Sequence, residues 1–124
     1  MGQARPMQPW TTIKGDVTMD DIIQPARLWV DGGNFMEAAI DTQILLNAAN
    51  TGTPELHLET AVAPEGPWTT LATFGTGYTH SVNYFTTREG GTKKFEKLIR
   101  WKLKLSDGTL GDWEITFRIC AVLK

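Results

Sequence analysis

Phe95-Glu96-Lys97-Leu98-Ile99-Arg100-Trp101-Lys102-Leu103-Lys104-Leu105 and Trp113-Glu114-Ile115-Thr116-Phe117-Arg118-Ile119-Cys120-Ala121-Val122-Leu123 decide the fold class between them. In the first run Phe95, Ile99, Trp101, Leu103 and Leu105 share one parity, against Glu96, Arg100, Lys102 and Lys104. In the second, Trp113, Ile115, Phe117, Ile119, Ala121 and Leu123 oppose Glu114, Thr116, Arg118 and Lys124. A period of two sends successive side chains to opposite faces of a strand, so each run has a dry face and a wet one. This is the pattern of an antiparallel β domain. Ser106-Asp107-Gly108-Thr109-Leu110-Gly111 between them reads as a turn, so the two runs are expected to pair as a hairpin, Leu105 opposite Trp113. Lys104 then opposes Glu114, Lys102 opposes Thr116, and Arg100 opposes Arg118.

Outward from this pair, turn signals recur at the spacing of a sandwich or barrel. Trp10 to Ile13 and Arg27 to Asp31 read as short strands, with a loop or single helical turn over Met19 to Pro25. Residues 36–49 satisfy both periods; the strand reading is preferred because every clear neighbour is a strand. Asn50-Thr51-Gly52-Thr53-Pro54 is a turn. Strands follow over Glu55 to Val62, Trp68 to Phe74 and Ser81 to Thr87. The expectation is an all-β fold, an antiparallel β-sandwich or jelly-roll of about eight strands. Residues 1–9, with Pro6 and Pro9, read as a flexible N-terminal arm ahead of a single β-sandwich domain over 10–124.

Composition narrows the function classes. A chain of 124 residues can bury a core without disulfide staples, and the single cysteine, Cys120, has no intramolecular partner. A net charge of −2 gives no general attraction to nucleic acid or to an anionic membrane. The start carries no apolar h-region, and Gly2 is followed by Pro6 where a myristoylation signal needs Ser or Thr. Synthesis in the cytosol without a signal peptide is expected.

Chemistry-bearing motifs are sparse. His57 and His80 stand alone, and no metal-ligand spacing, nucleophile elbow or phosphate loop is present. Asp16, Asp20, Asp21 and Asp31 are oxygen ligands in loops, but their spacing suits solvated acids better than a calcium loop. No catalytic residue, metal or cofactor is assigned, and the expectation is a protein without enzymatic activity.

Two surface features remain. Arginines directly opposed at Arg100 and Arg118 repel unless an anion lies between them. Either the face is solvated and discourages edge pairing, or it meets a carboxylate of a neighbouring subunit. The second feature is the aromatic content, five Trp among it. Trp101 and Trp113 fall on the core parity, and Trp29 is expected in the core as well. Trp10 and Trp68 follow prolines at strand starts, and Tyr78 and Tyr84 flank a Gly-rich segment. Exposed aromatics in such places stack on sugars or anchor protein interfaces.

Leu56-His57-Leu58-Glu59-Thr60-Ala61, then Pro64-Glu65-Gly66-Pro67-Trp68 and the apolar strand to Phe74, resembles a pattern of phage-like virion structural β-sandwiches. The segments around Trp101 and Phe117 are similar to their C-terminal strands, so the resemblance covers roughly residues 55–74 and 95–123. It implies a particle-associated role, as capsid decoration or tail component, with no catalytic residues. The expected partners are other protein subunits, self included as a homo-oligomer, with no nucleic acid and no membrane. Candidate interface residues are Trp10, Trp68, Tyr78, Tyr84, Arg100 and Arg118, and deletion of residues 1–9 is expected to spare folding and weaken assembly. The alternative is a carbohydrate-binding module using Trp68, Tyr78 and Tyr84.

Overall fold

The computed structural model describes residues 2–15, 20–49, 54–74, 79–87, 94–105 and 111–124. Nine strands occur among them: β1 (Gln3–Gly15), β2 (Ile22–Ile23), β3 (Val30–Asp31), β4 (Glu37–Ala49), β5 (Glu55–Ala61), β6 (Thr69–Phe74), β7 (Thr79–Thr86), β8 (Leu98–Lys104) and β9 (Trp113–Leu123). They form two antiparallel sheets, a first in the order β1-β9-β4-β7 and a second in the order β2-β8-β5-β6, with β3 also on β8. Apart from β2-β3 and the β5-β6 hairpin, successive strands alternate between the two sheets, and this arrangement is a jelly-roll.

The sheets bury one core. Ile40, Ile44, Phe85, Ile115, Phe117 and Ile119 of the first meet Leu56, Leu58, Leu71, Ile99, Trp101 and Leu103 of the second. The Trp101 and Phe117 rings touch edge to face, centroids 5.1 Å apart. That geometry suits the aromatic quadrupoles and locks the sheets in register.

The expected hairpin is absent. β8 pairs with β5 and β9 with β4 and β1, so the chain crosses the sandwich between them instead of turning back in one sheet. Period-two alternation shows which side of a strand is dry but not which strand lies beside it. Two strands facing each other across a core present the same parity as two strands paired along it. Arg100 and Arg118 therefore lie on opposite outer faces of the molecule and do not oppose one another.

Three further expectations are revised. Residues 3–9 are the first half of β1, not an arm: they pair with β9 as far as Gln3 opposite Leu123, and Met7 is 1% exposed. Pro6 is accommodated because β1 is an edge strand, and the ladder shifts register between Pro6 and Gln8 and again before Thr11. Residues 26–28 form a 3-10 turn, leaving a strand only at Val30–Asp31. Trp29 is thereby carried outside the core. Residues 36–49 do form a strand, β4, in the middle of the first sheet.

Candidate interaction surface

The outer faces of the two sheets differ in kind. On the second sheet, cross-strand neighbours on the wet parity are Glu55 with Lys104, His57 with Lys102, and Glu59 with Arg100. Opposite charges facing across a ladder stabilise it. At Glu59 and Arg100 the arrangement is closed over: the residues are 4% and 8% exposed. Arg100 Nε and Nη2 donate to Glu59 Oε1 at 3.1 and 3.0 Å, and Lys102 Nζ stands 3.2 Å from Oε2.

Two tryptophans form the cover. The Arg100 guanidinium lies 3.7 Å from the Trp68 ring centroid and 5.2 Å from that of Trp29, and the two indoles meet edge on at 4.9 Å. Their polar edges turn back to their own loops, Trp29 Nε1 donating to Gln24 O at 2.7 Å and Trp68 Nε1 to Pro64 O at 3.1 Å. Gly66, at φ +84°, makes the turn that returns Trp68 to the sheet; a Cβ there would stand 2.9 Å from Trp68 Cδ1. Gln24 extends the cover, bonding Met7 O and Leu28 O through its amide and accepting from Trp101 N. The chain's own loops thus cover the Glu59–Arg100 end of this face, while Ile23, Thr70 and Thr73 on it stay exposed.

The expected carboxylate beside Arg100 thus exists, but it is Glu59 of the same chain. Alternation assigns Glu59 a face but not a neighbour, so its pairing with Arg100 appears only with the register. The Leu56-His57-Leu58-Glu59-Thr60 alternation already placed it on a wet face.

The outer face of the first sheet is open. Register aligns Tyr84, Ala39, Val122 and Ala4 in one row across β7, β4, β9 and β1, and Val82, Asp41, Cys120 and Pro6 in the next. A third row runs through His80, Gln43 and Arg118 to Trp10, whose ring centroid is 5.5 Å from the Arg118 guanidinium. Leu46 follows in the row of Thr116 and Thr12. Tyr84 is 74% and Trp10 47% exposed; Val82, Val122 and Leu46 are exposed too. Between Tyr84 and Val122 a groove of about 400 Å³ lies over Ala39, with Glu37 and Lys124 at its rim.

Asp41, His80, Gln43, Arg118, Thr116 and Thr12 interleave with the apolar residues of this face. Arg118 Nε donates to Gln43 Oε1 at 2.5 Å, and His80 Nε2 lies 2.9 Å from Asp41 Oδ1, off the favoured hydrogen-bond direction. Asp41 sits between His80 and Cys120 in the register, whereas nucleophilic catalysis needs the imidazole between acid and nucleophile. Of the loop acids, Asp21 Oδ1 accepts from Leu105 N, with Lys102 Nζ 4.0 Å from its other oxygen, and Asp31 Oδ1 accepts from Gly33 N; Asp16 lies outside the described residues.

Of the candidate residues, Trp10, Tyr84 and Arg118 share the open face; Trp68 and Arg100 belong to the covered end of the other, and Tyr78 lies outside the described residues. Trp68 and Tyr84 of the sugar-binding set are not brought together: Trp68 lies over Arg100 of the second sheet and Tyr84 on the first. Val82, Val122 and Leu46 were missed: as single aliphatic residues on a wet parity they carry no sequence signal until the register gathers them. Comparison with protein-family models, curated proteins and solved structures finds no match to this chain.

Proposed function

We propose that the protein is a non-catalytic structural subunit of a phage-like particle, a decoration or tail component, that binds other protein subunits through the outer face of β1-β9-β4-β7. The observation that carries this reading is the contrast between the two faces. On one, Trp29 and Trp68 cover the buried Glu59–Arg100 pair; the other leaves Trp10, Val82, Tyr84 and Val122 in water. Contiguous apolar surface on a folded domain favours a macromolecular contact. Exposed Trp and Tyr are the side chains that anchor such contacts, and Arg118 and the Asp41–His80 pair supply specificity more than affinity. A jelly-roll is compatible with the role without arguing for it.

The test is the native mass, by light scattering, of protein purified gently from its source. A large symmetric assembly is expected, together with its loss in Val122→Lys, which puts a charge in the row of Tyr84 and Ala39 at a position that is not buried. A clean monomer, or an assembly indifferent to Val122→Lys, would overturn the reading.

A further inference from the structure

We propose that β7 is a dimerisation edge: two copies of this chain pair their β7 strands antiparallel about a two-fold axis at Val82, fusing two four-stranded sheets into one of eight. The proposal rests on the subunit-binding reading and names the first partner as a second copy.

The argument begins with backbone direction. Glu37 gives both backbone groups to Lys124, the two bonds each 3.0 Å, so it faces away from β7. Opposed residues in an antiparallel ladder alternate between hydrogen-bonded and non-bonded pairs. Glu37 and Thr86 are opposed, hence a non-bonded pair, and Thr86 O duly accepts from Phe95 N at 2.9 Å on the side away from β4. The register runs without interruption to Ile44 opposite Thr79. By alternation, the N–H and C=O groups of His80, Val82 and Tyr84 also point away from β4, on a side where no strand among the described residues pairs with them.

That edge lacks the usual protection. A row of unpaired backbone groups is a template for another strand, and proteins blunt it with prolines, bulges and charges. β1, the opposite edge, has Pro6, Pro9, Arg5, Lys14 and two register shifts. β6 is two residues shorter, and its ladder is broken by a shift at Leu58 and Glu59. Thr79-His80-Ser81-Val82-Asn83-Tyr84-Phe85-Thr86 has no proline, no shift and no charged group but His80. Phe95 N bonds Thr86 O at one end of the edge, and among the described residues the backbone groups of 80, 82 and 84 have no partner there. A second β7 set antiparallel about Val82 makes three hydrogen-bonded pairs: Val82 with its own copy, and His80 with Tyr84 twice. Every outer side chain then meets an outer one, valine on valine and imidazole on phenol, with no like charges opposed.

Disulfide trapping and sedimentation test this. In a Cys120→Ser background, Val82→Cys puts two thiols on Cα atoms about 5.5 Å apart, within disulfide reach. Oxidation is expected to give a covalent dimer, while Tyr84→Cys, whose two copies lie in different rows, gives none. In sedimentation equilibrium the wild-type chain should dimerise with rising concentration. Val82→Pro and Val82→Lys should be at least tenfold weaker and retain the β spectrum, because the Val82 N–H is not used within one chain. Monomer at all concentrations with no Val82→Cys cross-link, dimers unaffected by both substitutions, or cross-linking at Tyr84→Cys instead would each overturn the proposal. The two readings fail separately: a large assembly without the cross-link sinks only this one, and a β7 dimer that joins nothing larger sinks only the particle.

Discussion

Arg100 and Arg118 look equivalent in the sequence, each an arginine on the wet parity of a strand, yet they differ in the solvent each has lost. Arg118 keeps one hydrogen bond to Gln43 and a loose contact with Trp10 at the surface. Arg100 is enclosed, its guanidinium held edge-on by Glu59 and face-on by Trp68. Withdrawing a charge from water costs several kcal/mol, offset only when its partner is in place. Glu59→Ala should therefore destabilise the protein by about 3 kcal/mol, because it strands Arg100 and frees Lys102. Arg118→Ala should change stability by less than about 1 kcal/mol. The replacement of both Glu59 and Arg100 by Leu and Met should cost less than Glu59→Ala alone. Urea unfolding of the four proteins measures this; a loss at Arg118 equal to that at Glu59 would refute the assignment of the two faces.

At the scale of elements, β1 is where sequence and structure part most clearly. Pro6 and Pro9 argue against a regular strand only if the strand is central; at an edge, the missing N–H faces water and two register shifts absorb the fixed φ. With Met7 in the core and Gln3 paired to Leu123, deletion of residues 1–9 should destabilise the fold by about 3 kcal/mol or more, judged from the loss of a buried Met alone. Thermal melting followed by circular dichroism is the measurement, and an unchanged midpoint would restore the arm. The existence of the strands was legible because parity is local: β5 and the two C-terminal runs are where alternation puts them, β6 follows its turn signal, and β4, whose residues satisfy both periods, follows its strand neighbours. Their partners were not legible. Pairing is decided by which sheet a strand joins, and Leu105 to Trp113 crosses the sandwich with the same turn residues that would close a hairpin. The site suffered likewise: Trp10, Tyr84 and Arg118 could be named as surface groups one at a time, but a surface assembled from four strands appears only with the register.

For the whole molecule, the consequence of this topology is that almost nothing holds locally. β1 closes on β9 with Gln3 opposite Leu123, so the two ends of the chain are neighbours in one sheet. The second sheet takes β8 between β5 and the short β2 and β3, joining segments about forty and eighty residues apart. Chain entropy is lost before such contacts form, and folding slows as sequence separation grows. Neither sheet can persist without the other, because each has a single apolar face and the core between them is one cluster. Refolding should therefore be slow for a domain of this size, milliseconds to seconds, and the unfolding transition should be single. The tryptophans make the test sharp: Trp101 and Trp113 report the core, while Trp29 and Trp68 report the cover over Arg100. Fluorescence of a variant keeping only the core pair, with Trp29, Trp68 and Trp10 replaced by Phe, should follow the same urea curve as its circular dichroism. Two separated transitions would mean that one sheet outlives the other, and that the shared core is not what binds them.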